Sequence, residues 1–380
     1  MPAYGHLYPL MPLFLACAER GHDVEMATGP PFAGRLRVPT VPVGSWTTLD
    51  DAEAEVKRRH PEVADLPPPE RYRFGIELFA DVGAGHFAEP LIELLEAQRP
   101  DLVVYEATAV GAGVAAQITG IPAVAHGVVR WGFFTAALHQ TVLERQRDSW
   151  TRRQLQPPPI DGVLADCFLD LTPAALGDDS APLPARTLPI RPVPWNEQLT
   201  AVPDWLAEPR QRPRVYVTLG TVVFSYVDAL RTAVEGAANL GADVLVTVGP
   251  EGDPAGLGRL GDNVHVERFA PQSEVLPLVD AVVHHGGTGT MLGAAYHGLP
   301  QVLIPQGADQ FQNAAAMTAA GVARSFAGAE LTADAITAAL GAMLAGGPEA
   351  AATRALRAEI AAMPGPAERV SLLEEVASAA

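Results

Sequence analysis

Two adjacent histidines run out of an apolar stretch into a glycine-rich turn at residues 282–300, VVHHGGTGTMLGAAYHGLP. These residue types at this spacing can hold an anion. Glycines ahead of a helix let backbone N–H groups approach a phosphate, the helix dipole favours negative charge, and a histidine or hydroxyl adds a donor. Three readings compete: a buried histidine pair before a plain turn, a dinucleotide loop, and an anion site assisted by histidine. The dinucleotide reading is weak. The spacing is G-x-G without the rest of G-x-G-x-x-G, and the loop follows a late strand where the fingerprint belongs after a first one. His284, inside the strand, reads as a core residue. His285, at the carboxyl end of the strand, stands where open α/β sheets bind ligands.

The elements that must position this loop repeat along the chain. Apolar strand-like runs alternate with helical patterns, the signature of α/β domains with parallel sheets. At 380 residues, 48% of them hydrophobic, the chain is long enough for two doubly wound domains. In the first half a helix near residues 9–20 precedes the strands DVEMAT and VPTVPVG; DLVVYE and PAVAH follow further on. Residues 50–69 are charged, end in prolines and read as a surface excursion. The stretch from Pro189 to Pro213 is proline-rich and reads as a linker. Beyond it come RVYVTLG, DVLVTVG, VHVERF, AVVHH and QVLIP, each followed by a turn or helical pattern. The expected division is residues 1–190, a linker at 191–213, a second domain at 214–364, and a last helix at 365–380 that could pack back on the first domain. The chain enters at MPAYGHLYPL, already in a loop. A doubly wound domain opens on a strand, so the reading is a start some six to eight residues late.

Composition removes several classes of function. A formal net charge of −18 leaves no basic face for nucleic acid. The longest apolar runs are shorter than a membrane span of about 20 residues. Two cysteines, Cys17 and Cys167, cannot make a disulfide framework, and no cationic segment precedes an apolar one as in a signal peptide. The expectation is a cytoplasmic protein. Neither D-x-D nor H-E-x-x-H is present, so no metal and no bound cofactor are expected.

Residues 268–317, RFAPQSEVLPLVDAVVHHGGTGTMLGAAYHGLPQVLIPQGADQFQNAAAM, resemble the nucleotide-sugar signature of family 1 glycosyltransferases, in particular the bacterial enzymes that decorate natural products such as antibiotics. The likeness extends over nearly the whole chain, including GHLYPLMPLFLACAERGHDV near its start. It implies a GT-B fold, two Rossmann-like domains facing across a cleft. Carried over by position, it implies that Phe269 and Gln272 lie at the base and ribose. His285, Gly287, Thr288, Gly289 and Thr290 would hold the diphosphate, with Thr221 approaching it. Asp309 and Gln310 would bond the sugar hydroxyls. An aromatic offers a π-face, glycines and histidine suit an anion, and a carboxylate and amide suit hydroxyls. The plain alternative for Asp309 is a helix cap. Plant members carry Glu where this chain has Gly293, which favours a thymidine-type donor over a uridine one.

The same resemblance places His6 at the catalytic histidine, where it would take the acceptor's proton as the new bond forms. An Asp normally follows the strand that here reads DLVVYE; this chain has Glu106, one methylene longer. A carboxylate there would orient the histidine and stabilise its imidazolium. Trp131, Phe133 and Phe134 could line an acceptor pocket or belong to the core. The expectation is an inverting, metal-independent transferase moving a hexose or deoxyhexose from a TDP- or UDP-sugar, TDP favoured, to a small apolar acceptor, as monomer or homodimer. Two alternatives share the fold: a helper without turnover, and a sugar-nucleotide isomerase.

Overall fold

The apolar runs VYVT, VLVT, AVVH and QVL of the second half are buried and form parallel strands covered on both faces, with the partly buried VHVE at one edge. The computed structural model describes residues 3–46, 49–67, 70–160, 162–197, 202–220, 227–249 and 252–379. It divides into two units. The first comprises Met1–Thr172, Gly177–Arg191 and Met363–Ala380, the second Pro173–Leu176 and Pro192–Ala362.

The second unit holds a six-stranded parallel sheet in the order Ala323–Ser325, Gln301–Leu303, Ala281–His284, Arg214–Thr218, Asp243–Thr247, Val264–Glu267. Numbered along the chain, this is the doubly wound order 3-2-1-4-5-6 read from its far edge. Side chains alternate between two cores. Val215, Val217, Val244, Val246 and Val283 pack with Val234, Ile336 and Leu340 on one face. Tyr216, Leu245 and Val282 pack with Val275, Leu276 and Ala294 on the other. The strand order reverses between Arg214–Thr218 and Ala281–His284, paired with Val217 opposite Val283. The crevice beyond the carboxyl ends of such a pair is where this fold binds ligands.

The first unit departs from the expected single sheet. Val103–Glu106, Ala123–His126, Cys167–Asp170 and Thr187–Pro189 form a four-stranded parallel sheet, while Met26–Thr28 pairs only with Thr40–Pro42. No described strand joins the two sheets, and residues 4–7 form a helical turn. Residues expected as a surface excursion instead fold as helices Leu49–Arg59 and Pro61–Ala64. Asp50 and Asp51 occupy the first turn and Lys57, Arg58 and Arg59 the last, matching the helix dipole. Ala52 and Val56, one turn apart, are fully buried. The helical run ahead of residue 99 contains a π-helical segment, Glu77–Gly83, between Tyr72–Ile76 and Ala84–Gln98.

The proline-rich stretch expected as a linker is packed for much of its length onto the second unit. Leu206 is buried in that unit's core, Trp205 stacks on His265 at 4.2 Å, and the Arg214 guanidinium donates to the carbonyls of Trp205, Leu206 and Glu208. The last helix, Pro366–Ser378, lies in the first unit, where Glu374 accepts from Arg20 and pairs with His22. Among the described residues, no helix is long and apolar enough to cross a membrane.

Candidate active site

At the reversal point of the second sheet, His284 and His285 have different tasks. His284 is fully buried. Its Nε2 meets Gln301 Oε1 at 2.8 Å and its Nδ1 accepts from the Gly286 amide at 3.1 Å, which sets the tautomer. Burial, with the neighbouring His285 adding to it, holds its pKa down to about 3. It is a neutral core residue that fixes the bend of the loop. His285 is half-buried, and its Nδ1 is enclosed without a hydrogen bond among the described residues. Burial lowers its pKa; the Asp309 charge and the Thr218 carbonyl oppose that.

Two glycines make room for the His285 ring. A Cβ at Gly287 would stand 2.5 Å from its Nε2, and one at Gly220 2.9 Å from its Cε1. Helix Thr288–His297 begins immediately after, capped by Gly287 with no side-chain cap bond. Its first amides are therefore available to an anion. Gly289 is exposed, and a side chain there would meet nothing. Its role is confined to its backbone.

A buried amide ties this loop to the next. Asn313 donates from Nδ2 to Gly286 O, Thr288 Oγ1 and Asp309 Oδ2, at 2.8 to 3.1 Å, and the Thr288 hydroxyl donates to Asp309 Oδ2 at 2.8 Å. Asp309 sits at the cap position of helix Gln310–Ala319 but makes no capping bond, so the cap alternative does not describe its side chain. Gln310 is partly committed to its own loop. Its Oε1 accepts from the amides of Gln306 and Gly307, and only its NH2 is left to meet a sugar. The Gln272 amide donates to Thr290 Oγ1 at 3.1 Å, which brings the base-side residue to the loop. Phe269 is 41% exposed, an unusual state for an aromatic of its size. Gly293 is buried, with Leu276 Cδ1 3.1 Å and Pro194 Cγ 3.7 Å from where its Cβ would lie; a longer side chain does not fit without repacking. Thr221 lies outside the described residues.

In the first unit, His6 Nδ1 and Glu106 Oε1 are 3.0 Å apart. The histidine is 18% exposed and the carboxylate 4%. A carboxylate accepts from Nδ1–H, which leaves the Nε2 lone pair as the basic one. The other carboxylate oxygen, Oε2, accepts from the Thr108 amide at 2.8 Å and its hydroxyl at 2.6 Å. Burial alone would raise the Glu106 pKa; the charge and hydrogen bond of His6 and the bond from Thr108 outweigh it and hold the value at about 2. The turn that carries Thr108 is itself held: Ala107 N donates to His126 O, and Ala107 O accepts from His139 Nε2. Phe79, from the π-helical segment, lies 5.8 Å from the His6 ring.

Thr108, Asn313 and Phe79 were not among the sequence-derived candidates. Thr108 is two residues past Glu106, the reach of a side chain-to-amide turn, and Asn313 is one helical turn past Asp309. The three aromatics after residue 130 separate. Trp131 is core, 2% exposed, donating from Nε1 to Pro182 O and packing on Phe168. Phe134 is half-buried and meets Phe79 edge-on; the side chain of Phe133 lies outside the described residues. Among the described residues, His60, Glu77 and Asp81 bring three ligand-type atoms within 4.8 Å of one another. Arg145 pairs with Glu77 and Arg59 lies near Asp81, so each carboxylate has a cationic neighbour.

Two Rossmann-like units, one with a glycine-rich loop and a helix N-terminus at its sheet reversal and the other with a carboxylate-backed histidine, define a GT-B fold. The domain profiles described as "Erythromycin biosynthesis protein CIII-like" match residues 16–220 with the N-terminal domain and 231–376 with the C-terminal domain. L-demethylnoviosyl transferase of Streptomyces niveus is 33% identical, over 97% of this chain and 94% of its own. Elloramycin glycosyltransferase ElmGT of Streptomyces olivaceus is 34% identical, over 97% and 93%. The solved structure of spinosyn rhamnosyltransferase SpnG complexed with thymidine diphosphate is 25% identical, covers 98% of both chains and has a TM-score of 0.81. The chain thus belongs to the erythromycin biosynthesis protein CIII-like family of bacterial natural-product glycosyltransferases and uses a nucleotide-activated sugar.

Proposed function

We propose that this enzyme transfers a hexose or deoxyhexose from a TDP-sugar to a hydroxyl of a small, mostly apolar natural product, with inversion and without a metal, and that His6 is the general base. The observation that carries this reading is the His6–Glu106 contact at 3.0 Å, with the carboxylate buried and the histidine accessible. The acceptor oxygen attacks the anomeric carbon from the side opposite the diphosphate while its proton passes to His6 Nε2. The bond from the anomeric carbon to the diphosphate oxygen breaks, and the nucleoside diphosphate leaves. Glu106 stabilises the imidazolium formed. An α-linked donor then yields a β-glycoside.

The charge on the leaving diphosphate falls to the N-terminus of helix Thr288–His297, the His285 ring and the Thr288 and Thr290 hydroxyls, so no metal is required. Preference for TDP is supported by the closed position at Gly293, which offers no ribose-binding carboxylate, and by the thymidine diphosphate bound in the SpnG and VinC structures. The relatives' names, noviosyl transfer and elloramycin glycosylation among them, support a natural-product acceptor.

The test begins with thermal shifts in TDP, UDP and GDP, with the largest stabilisation expected from TDP. TDP- and UDP-hexoses are then offered with a panel of phenols and polyketide alcohols, and the anomeric configuration of the product is read by NMR. An α-product from an α-donor overturns inversion. Binding without any product favours the helper alternative, and a changed sugar nucleotide in the absence of acceptor favours the isomerase.

A further inference from the structure

Beside the base stands a buried hydroxyl that no motif singles out. Thr108 is 2% exposed, and its hydroxyl lies 2.6 Å from Glu106 Oε2 and 3.2 Å from His6 Nδ1. One hydroxyl can do both: its proton goes to the carboxylate, and its lone pair faces the Nδ1–H of the histidine. A glutamate has three rotatable side-chain bonds, and a single contact to His6 would not hold it in one rotamer. With Oε2 pinned by the Thr108 amide and hydroxyl, Oε1 is aimed at His6. The anchoring of Ala107 by His126 and His139 makes that pin part of the sheet end rather than of a loose loop.

We infer that Thr108 is a positioning residue of the transfer reaction, acting through Glu106 to orient and electrostatically support His6. This rests on the reading of His6 as the base. Removing the hydroxyl leaves the amide contact and the packing but frees Glu106 to turn from the histidine, so the loss falls on turnover and not on donor binding.

The experiment uses the donor and acceptor pair that the native enzyme turns over fastest in the panel above, with His6→Ala, Thr108→Val, Thr108→Ser, Glu106→Gln and the Glu106→Gln/Thr108→Val double variant. Thr108→Val is expected to lower kcat about ten- to thirtyfold, the lower part of the range for a lost hydrogen bond to a charged group, with donor KM changed less than about twofold. Thr108→Ser, which restores the hydroxyl, is expected to return kcat to within about threefold of native. In the Glu106→Gln background, Thr108→Val is expected to cost less than about threefold. Three results overturn the inference while leaving the base reading intact: native kcat in Thr108→Val, no recovery in Thr108→Ser, or a full additional loss in the double variant. Near-native turnover in His6→Ala, or no turnover of any pair by the native chain, removes the base reading and this inference together.

Discussion

The two candidate sites are made of different material. The cradle of the second unit consists of backbone amides, two glycines and a neutral histidine, and its side chains serve largely to hold loops together, as Asn313 and His284 do. The His6–Glu106–Thr108 cluster of the first unit consists of side chains bonded to one another, with a buried carboxylate whose charge is kept by its partners. A site proposed to accept an anion in a chain of net charge −18 is built mainly from dipoles, which do not titrate. A site proposed to accept and release a proton is built from groups that do. Affinity and turnover are accordingly expected to separate by unit.

The largest effect should come from His6→Ala. Loss of a general base lowers turnover by about 10² to 10⁴, while TDP affinity by calorimetry is expected to stay within about twofold. Near-normal turnover would take His6 out of the reaction; a large loss of TDP affinity would erase the contrast between the units. Next comes His285→Ala, for which TDP binding is expected to weaken by about 1.5 to 3 kcal/mol, the range for a hydrogen bond to a charged group. Unchanged affinity would return His285 to the status of His284, a core residue.

The smallest effect concerns stability and sharpens the comparison in the opposite sense, because both units share it. His126 and His139 in the first unit are held down to about 4, and His284 in the second to about 3, burial being the largest cause in each. An unfolded histidine titrates near 6.5. The folded values lie lower, so the unfolded chain takes up these protons first as pH drops. Their contribution is intact above about pH 6.5 and is lost as pH falls toward 4. Glu106, lowered to about 2, adds a loss below about pH 4.5 in the first unit alone. Thermal midpoints are expected to fall by several degrees from pH 7 to pH 4.5, and His284→Gln to shallow that slope. A flat profile would mean that the rings are not buried in solution.

Legibility followed chemistry in the same way. The second-unit strands stand out because VYVT, VLVT and AVVH are continuous apolar runs, and a loop that binds through backbone must advertise itself with glycines. Helix Leu49–Arg59 was hidden because, among its described side chains, only Ala52 and Val56 are buried in a charged sequence. Thr108 was hidden for a different reason. A threonine two places after a glutamate is commonplace, and only the fold reveals that both its polar groups converge on one oxygen. For Gln310, residue type suggested a sugar ligand, whereas the local backbone claims its carbonyl oxygen first.

The return of residues 363–380 to the first unit makes that unit a host and the second a guest inserted in its chain. The Arg191 amide donates to Pro364 O and its guanidinium to Met363 O, so the points of departure and re-entry are stitched side by side. Val370, Leu373 and Val376 of the returning segment are buried, and the host lacks part of its interior until that segment has been made. The guest, whose main segment is contiguous, can mature while the host waits. Clipping the last 18 residues would therefore damage the half that carries His6, at the opposite end of the sequence, before it harmed the half to which they are joined.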